Sequence, residues 1–177
     1  MLGRLIRTCT DIFYSWQQVS VAKSNLMNGH AAMQIRIIPA RELSVELVRA
    51  WTVLQRANAY LDSPFFSPQF TQLIGQTRNN VHIAVIEDDG KIVGFFPYQA
   101  EWGGQAIPVG SFMNEFNGLI GASDLALEPR EFLRKAGMEC LTFELMLAQQ
   151  SAFAPCTTSK HDSPCIFLPD GYEAYRI

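Results

Sequence analysis

Val85-Ile86-Glu87-Asp88-Asp89-Gly90-Lys91-Ile92-Val93-Gly94-Phe95-Phe96-Pro97 is the stretch from which the fold can be read. Two apolar runs flank an acidic turn, and Asp-Gly between such runs signals a hairpin because the tight turn needs residues that tolerate positive φ. Upstream, Val81, Ile83 and Val85 alternate with His82, Ala84 and Ile86, as a strand with two faces requires. The return run, residues 91–99, is apolar on both faces and holds Gly94. A glycine inside such a run marks a central or bulged strand close to another backbone.

Working outward, Gln34-Ile35-Arg36-Ile37-Ile38 alternates as a half-buried strand and Pro39 ends it. Ser44 is placed to cap a helix whose buried stripe is Leu47, Val48, Trp51, Leu54 and Gln55, spaced by three and four. Ser67-Pro68 supplies a cap with proline in the first turn of a second helix, 68–77. Downstream, strands are expected over 106–112 and 140–147, with a short helix from Glu128 to Gly137 between them and a last short strand over 165–168. The order is strand, two helices, hairpin, strand, helix, strand. It predicts an α/β (α+β) domain with a mixed, mostly antiparallel sheet flanked by helices.

Composition bounds the function. The chain has 177 residues, 48% hydrophobic and 18% charged, and 14 Lys plus Arg against 17 Asp plus Glu leave a net charge of -3. That mild balance, without a run of like charges, argues against a nucleic-acid or anionic-membrane partner. No stretch reaches the roughly 18 to 20 apolar residues of a membrane span. Cys9, Cys140, Cys156 and Cys165 match neither a metal knuckle nor a dense disulfide framework, so a reduced, cytoplasmic protein is expected. Cys156, His161 and Cys165 lie within ten residues, but a structural zinc site needs a fourth ligand, and a polar loop is the simpler expectation. Residues 1–32 are expected to be a poorly ordered extension, with a membrane-surface helix through Leu5, Ile12, Phe13, Trp16 and Val19 as the alternative. The domain is expected to span 33–177.

Among side chains able to carry chemistry, His82 falls in an alternating strand and is expected to be structural, and Glu87, Asp88 and Asp89 belong to a solvated turn. Glu144 sits where either a buried base or a solvent-facing position is possible. Asn114, Glu115 and Asn117, with Tyr98 nearby, form the cluster expected to line a substrate cleft. No Ser/His/Asp order, Cys/His pairing or HExxH spacing occurs.

Leu61-Asp62-Ser63-Pro64-Phe65-Phe66-Ser67-Pro68-Gln69-Phe70, the hairpin quoted above, Asn117-Gly118-Leu119-Ile120 and Leu168-Pro169-Asp170-Gly171-Tyr172 together resemble the N-terminal half of the CelD/BcsL-type acetyltransferases linked to bacterial cellulose biosynthesis. The resemblance covers about residues 34–177 and implies a GNAT-like fold, in a family whose full-length members pair two such halves. It implies that acetyl-CoA, or another acyl-CoA, is bound by the C-terminal half and that the N-terminal half, the one this chain resembles, contributes fold and acceptor cleft. The acceptor would be a polysaccharide or cell-envelope precursor.

A CoA site needs a Gly-rich turn opening a helix, whose N–H groups bind the pyrophosphate. Gly103-Gly104-Gln105 and Gly118-Leu119-Ile120-Gly121 come nearest, and neither opens a long helix. No cofactor is therefore expected in this chain, which reads as cut short before a second half. A non-catalytic GNAT-like binding module is the competing expectation. A missing half would leave apolar side chains around Phe143, Leu145, Phe153, Phe167 and Tyr172 exposed, available for that half or for self-association.

Overall fold

The computed structural model describes residues 6–13, 17–20, 33–114, 116–122, 125–159, 161–166, 168 and 171–176. The strands are β1 (Ile6–Phe13), β2 (Gln17–Ser20), β3 (Gln34–Pro39), β4 (Val81–Asp88), β5 (Lys91–Ala100), β6 (Gln105–Ile107), β7 (Ile120–Gly121), β8 (Cys140–Phe143), β9 (Met146–Leu147) and β10 (His161–Ile166). The helices are α1 (Val45–Arg56), α2 (Pro68–Thr77), α3 (Pro129–Ala136) and α4 (Tyr172–Tyr175). A seven-stranded sheet runs in the order β2-β8-β6-β5-β4-β3, with β7 also on β5; β10-β1-β9 forms a second, three-stranded sheet. All pairings between these strands are antiparallel except β6 with β8, which α3 joins by a crossover. The mixed, mostly antiparallel α/β architecture is thus the one the hairpin implied.

The hairpin itself closes through Asp89 and Gly90, both at positive φ (47° and 71°), with Asp88 opposite Lys91. Beyond the turn, Glu87 pairs with Ile92 but Ile86 pairs with Gly94, so Val93 is the extra residue of a β-bulge. Gly94 faces Gly121 across the β5–β7 pairing. A Cβ on Gly121 would stand 2.9 Å from the Val93 carbonyl oxygen, and one on Gly94 would stand 3.2 Å from Leu119. Gly121 is therefore needed for close backbone approach, and Gly94 is the strand glycine that β7 approaches, as the sequence suggested.

Alternation along β4 and β5 sorts the core into two layers. Val81, Ile83, Val85 and Phe95 pack with Trp51 of α1, Leu61 and Phe66, with Phe70 and Ile74 of α2 against them. Ala84, Ile86, Phe96 and Tyr98 pack on the opposite face with Phe132, Leu133 and Ala136 of α3. The helix starts follow their caps: Ser44 Oγ accepts from the Leu47 N–H at 3.3 Å, and Ser67 Oγ from the Phe70 N–H at 3.2 Å. Trp51 is fully buried, stacks on Phe95 at 4.9 Å and donates its indole N–H to the Phe66 carbonyl at 2.7 Å. This one side chain joins α1, the turn before α2 and the sheet.

Within the segment 1–32, Ile6–Phe13 and Gln17–Ser20 are strands paired with β10, β9 and β8; residues 1–5, 14–16 and 21–32, Trp16 among them, lie outside the described residues. Three expectations are corrected. The strand expected over 106–112 stops at Ile107, because Pro108 follows and Gly110 turns the chain at φ 82°. The strand over 140–147 splits into β8 and β9 at Leu145, whose φ is 56°. Phe143 and Phe153, expected to be exposed, are buried, their rings 5.9 Å apart, with Phe153 carried by the 151–156 turn. Leu145 is half-buried, Tyr172 is exposed and Phe167 lies outside the described residues. Among the described residues no helix is long and apolar enough to cross a membrane.

Replacing Trp51 by Phe should strand the Phe66 carbonyl and open a void. We expect a loss of about 2–4 kcal/mol in urea unfolding at unchanged m value; a loss under about 1 kcal/mol would contradict the tethering role.

Candidate functional site

The outer edge of β5 is shared by two short strands. Gly94 and Phe95 pair with β7, Gln99 and Ala100 with β6, and among the described residues no strand pairs with residues 96–98 on that edge. Pro97 falls within this gap and brings no N–H that needs a partner. The chain between β6 and β7, residues 108–119, leaves the sheet and returns. The gap it leaves is lined by Phe65, Phe96, Pro97, Asn114, Asn117 and Phe143, among others.

Asn114 and Asn117, both buried, meet here. Asn114 Nδ2 donates to the Val109 carbonyl (3.0 Å) and to Asn117 Oδ1 (3.3 Å), while its Oδ1 accepts from the Phe116 N–H (2.9 Å). Asn117 Nδ2 donates to the Glu144 carbonyl at 2.6 Å, and its backbone N–H to the Leu145 carbonyl. The left-handed turn at Leu145 breaks the strand where these two consecutive carbonyls are bonded. Apart from the bond between them, the two amides spend their side-chain hydrogen bonds on backbone, holding the 108–119 excursion on the β8–β9 corner. The remaining space is about 10 Å3, room for roughly one water.

Tyr98 is not brought to this cluster. It lies in the α3-side core, its ring 5.8 Å from that of His82, directly across the β4–β5 ladder. Burial pushes its phenol up to about 12. His82 Nδ1 is 3.0 Å from the Asn80 carbonyl and must donate there, the structural role read from its place in the strand. Glu115 lies outside the described residues. Glu144 is half-buried and contributes its carbonyl to the Asn117 contact.

Two further glutamines do similar work that sequence spacing could not signal. Gln99 Oε1 accepts from the Gly110 N–H at 2.7 Å, leaving its Nε2 without a partner among the described residues. Gln150 grips the Leu119 backbone from both ends, Oε1 to N–H at 2.8 Å and Nε2 to carbonyl at 3.0 Å. A Cβ on Gly118 would stand 2.7 Å from the Gln150 carboxamide carbon, and Gly118 holds φ 153°.

At the start of α3, on the crossover between the parallel strands, Glu128 caps its own helix. Its carboxylate accepts from the Arg130 N–H at 3.1 Å and the Glu131 N–H at 2.6 Å, and Glu131 adds a second acid in the first turn. Lys135 lies 2.9 Å from Glu131, holding that carboxyl below its usual range. No group of three or more His, Cys, Asp or Glu among the described residues is arranged to hold a metal ion. Burial raises the Cys156 thiol, the opposite of what a reactive thiolate needs. Comparison of the chain with models of known families, with curated proteins and with solved structures gives no match.

Asn114→Ala and Asn117→Ala should each cost about 2 kcal/mol, because each strands buried backbone groups. Their double variant should cost less than the sum, since the two amides share a bond; full additivity in urea unfolding would show that they act separately. Tyr98 yields a pH test. Its folded-state value of about 12 exceeds the ordinary 10.0, so above that ordinary value the unfolded chain releases a proton that the folded chain keeps. Its contribution should be intact below about pH 10 and fall by about 1.4 kcal/mol per pH unit toward about pH 12. Tyr98→Phe should flatten that limb relative to the parent, and an unchanged limb would assign the loss to other groups.

Proposed function

We propose that this chain is a GNAT-like half of an acyl-CoA-dependent acyltransferase of the CelD/BcsL type, supplying scaffold and acceptor surface while acetyl-CoA is bound by a second, C-terminal half. Acyl transfer to a hydroxyl or amine of a saccharide or envelope precursor would then rest on positioning and on a strand amide facing the developing oxyanion. The element order, with its parallel β6–β8 pair joined through α3, supports the GNAT-like reading.

The observation that carries the assignment of halves is the start of α3. A pyrophosphate seated there would need the helix N-terminal amides. Glu128 already occupies two of them, and Glu131 adds negative charge beside it. A dianionic ligand would have to displace one carboxylate and tolerate the other. The closed gap at Asn114 and Asn117 supports a second reading, a non-catalytic GNAT-like interaction module, because a space of about 10 Å3 admits no sugar. Binding of an acceptor by the chain separates the two readings.

Calorimetric titration of the chain with acetyl-CoA should show no saturable heat at about 100 μM, where a site of about 1 μM, worth about 8 kcal/mol, would be obvious. Saturable binding would overturn the division of labour between the halves.

A further inference from the structure

A concavity of about 350 Å3 opens at the C-terminal end of α1, lined by Gln55, Arg56, Asn58, Ala59 and Asp62. Its size falls at the lower end of the range of small-molecule sites, and its chemistry is one-sided. Gln55 Nε2 donates to the Leu61 carbonyl at 3.0 Å and lies 3.5 Å from the Ser63 carbonyl. Asn58 Nδ2 donates to the Leu54 and Gly121 carbonyls, both at 2.9 Å. Each carboxamide is therefore fixed through its nitrogen end.

The two oxygens opposite, Gln55 Oε1 and Asn58 Oδ1, have no donor among the described residues. Both residues are half-buried, so these acceptors are held in place without being fully committed to water. Arg56 and Asp62 are exposed, and their side chains make no hydrogen bond or ion pair among the described residues. The concavity thus offers two preset neutral acceptors, a carboxylate and one guanidinium donor, with formal charges that cancel. Vicinal hydroxyls, each able to donate and accept, match such a set; an anion would meet only the single guanidinium, and an apolar group would leave the acceptors unpaired.

We infer that this concavity binds a neutral saccharide, with Gln55 and Asn58 accepting from its hydroxyls, Asp62 accepting from a neighbouring pair and Arg56 donating to a sugar oxygen. As an acceptor site it rests on the acyltransferase reading and locates the acceptor away from the closed Asn114–Asn117 gap. The Asn58 bond to Gly121 ties the concavity to β7 and through it to the central strand, so the site is built on the sheet rather than on a free loop.

The test is a titration of the 15N-labelled full chain with glucose, followed by NMR, with glycerol at equal concentration as the control. Saturable shifts should appear at the Gln55 and Asn58 carboxamide signals with a millimolar dissociation constant, and glycerol should not reproduce them. Asp62→Ala and Arg56→Ala remove side chains without structural partners, so both variants should keep the parent melting temperature while weakening glucose binding about tenfold. Absence of saturable shifts, shifts equally produced by glycerol, or unchanged affinity in both folded variants would overturn the site. Those failures leave the Glu128 capping argument untouched, whereas saturable acetyl-CoA binding would overturn that argument and leave the concavity standing.

Discussion

The strand β5 has to be buried on both faces and paired on both edges, and much of the domain follows from how that demand is met. On one edge β4 accompanies it for its whole length; on the other, β6 and β7 each cover one end. The bulge at Val93 and the facing glycines Gly94 and Gly121 let β7 approach without a clash. The faces are closed by α1 and α2 on one side and α3 on the other, with Trp51 and Phe132 as the large anchors. Because β6 is so short, the chain must cross the middle of the sheet without a strand, and the polar cost of that crossing is met by side chains.

Carboxamides meet it. Asn114, Asn117, Gln99 and Gln150 each bond backbone groups of the 108–119 excursion or the corner beside it. An amide side chain carries the same donor and acceptor as a peptide unit, so it can replace a missing strand neighbour. A buried asparagine pair beside aromatic rings has the composition of a ligand site, yet its bonds are spent on the fold. At the end of α1, by contrast, Gln55 and Asn58 use only their nitrogens, and their oxygens have no donor among the described residues.

Electrostatics at α3 point the same way. A carboxylate at the cap and another in the first turn complement the helix dipole, and Arg134 and Lys135 do so at its end. The arrangement stabilises the crossover helix and leaves its amides unavailable to a phosphate.

What the sequence determined by itself is the local layer: the Asp89-Gly90 hairpin, the Ser44 and Ser67 caps, the Pro129 to Gly137 limits of α3 and the two-faced burial of β4 and β5. Each of these depends on residues within a few positions of one another, so spacing suffices. Gln55 was legible only as a member of an apolar stripe, although a glutamine there already signalled a polar partner. Tertiary structure alone decided that Asn117 bonds a carbonyl 27 residues away, that Gln150 pairs with Leu119 across 31, and that Asn58 reaches Gly121 across 63. It likewise turned 108–112 from a strand into an excursion and buried Phe143 and Phe153. An amide side chain carries no pattern that names its partner, because the same four atoms serve water, ligand or backbone equally well until the sheet brings one of them within 3 Å or so.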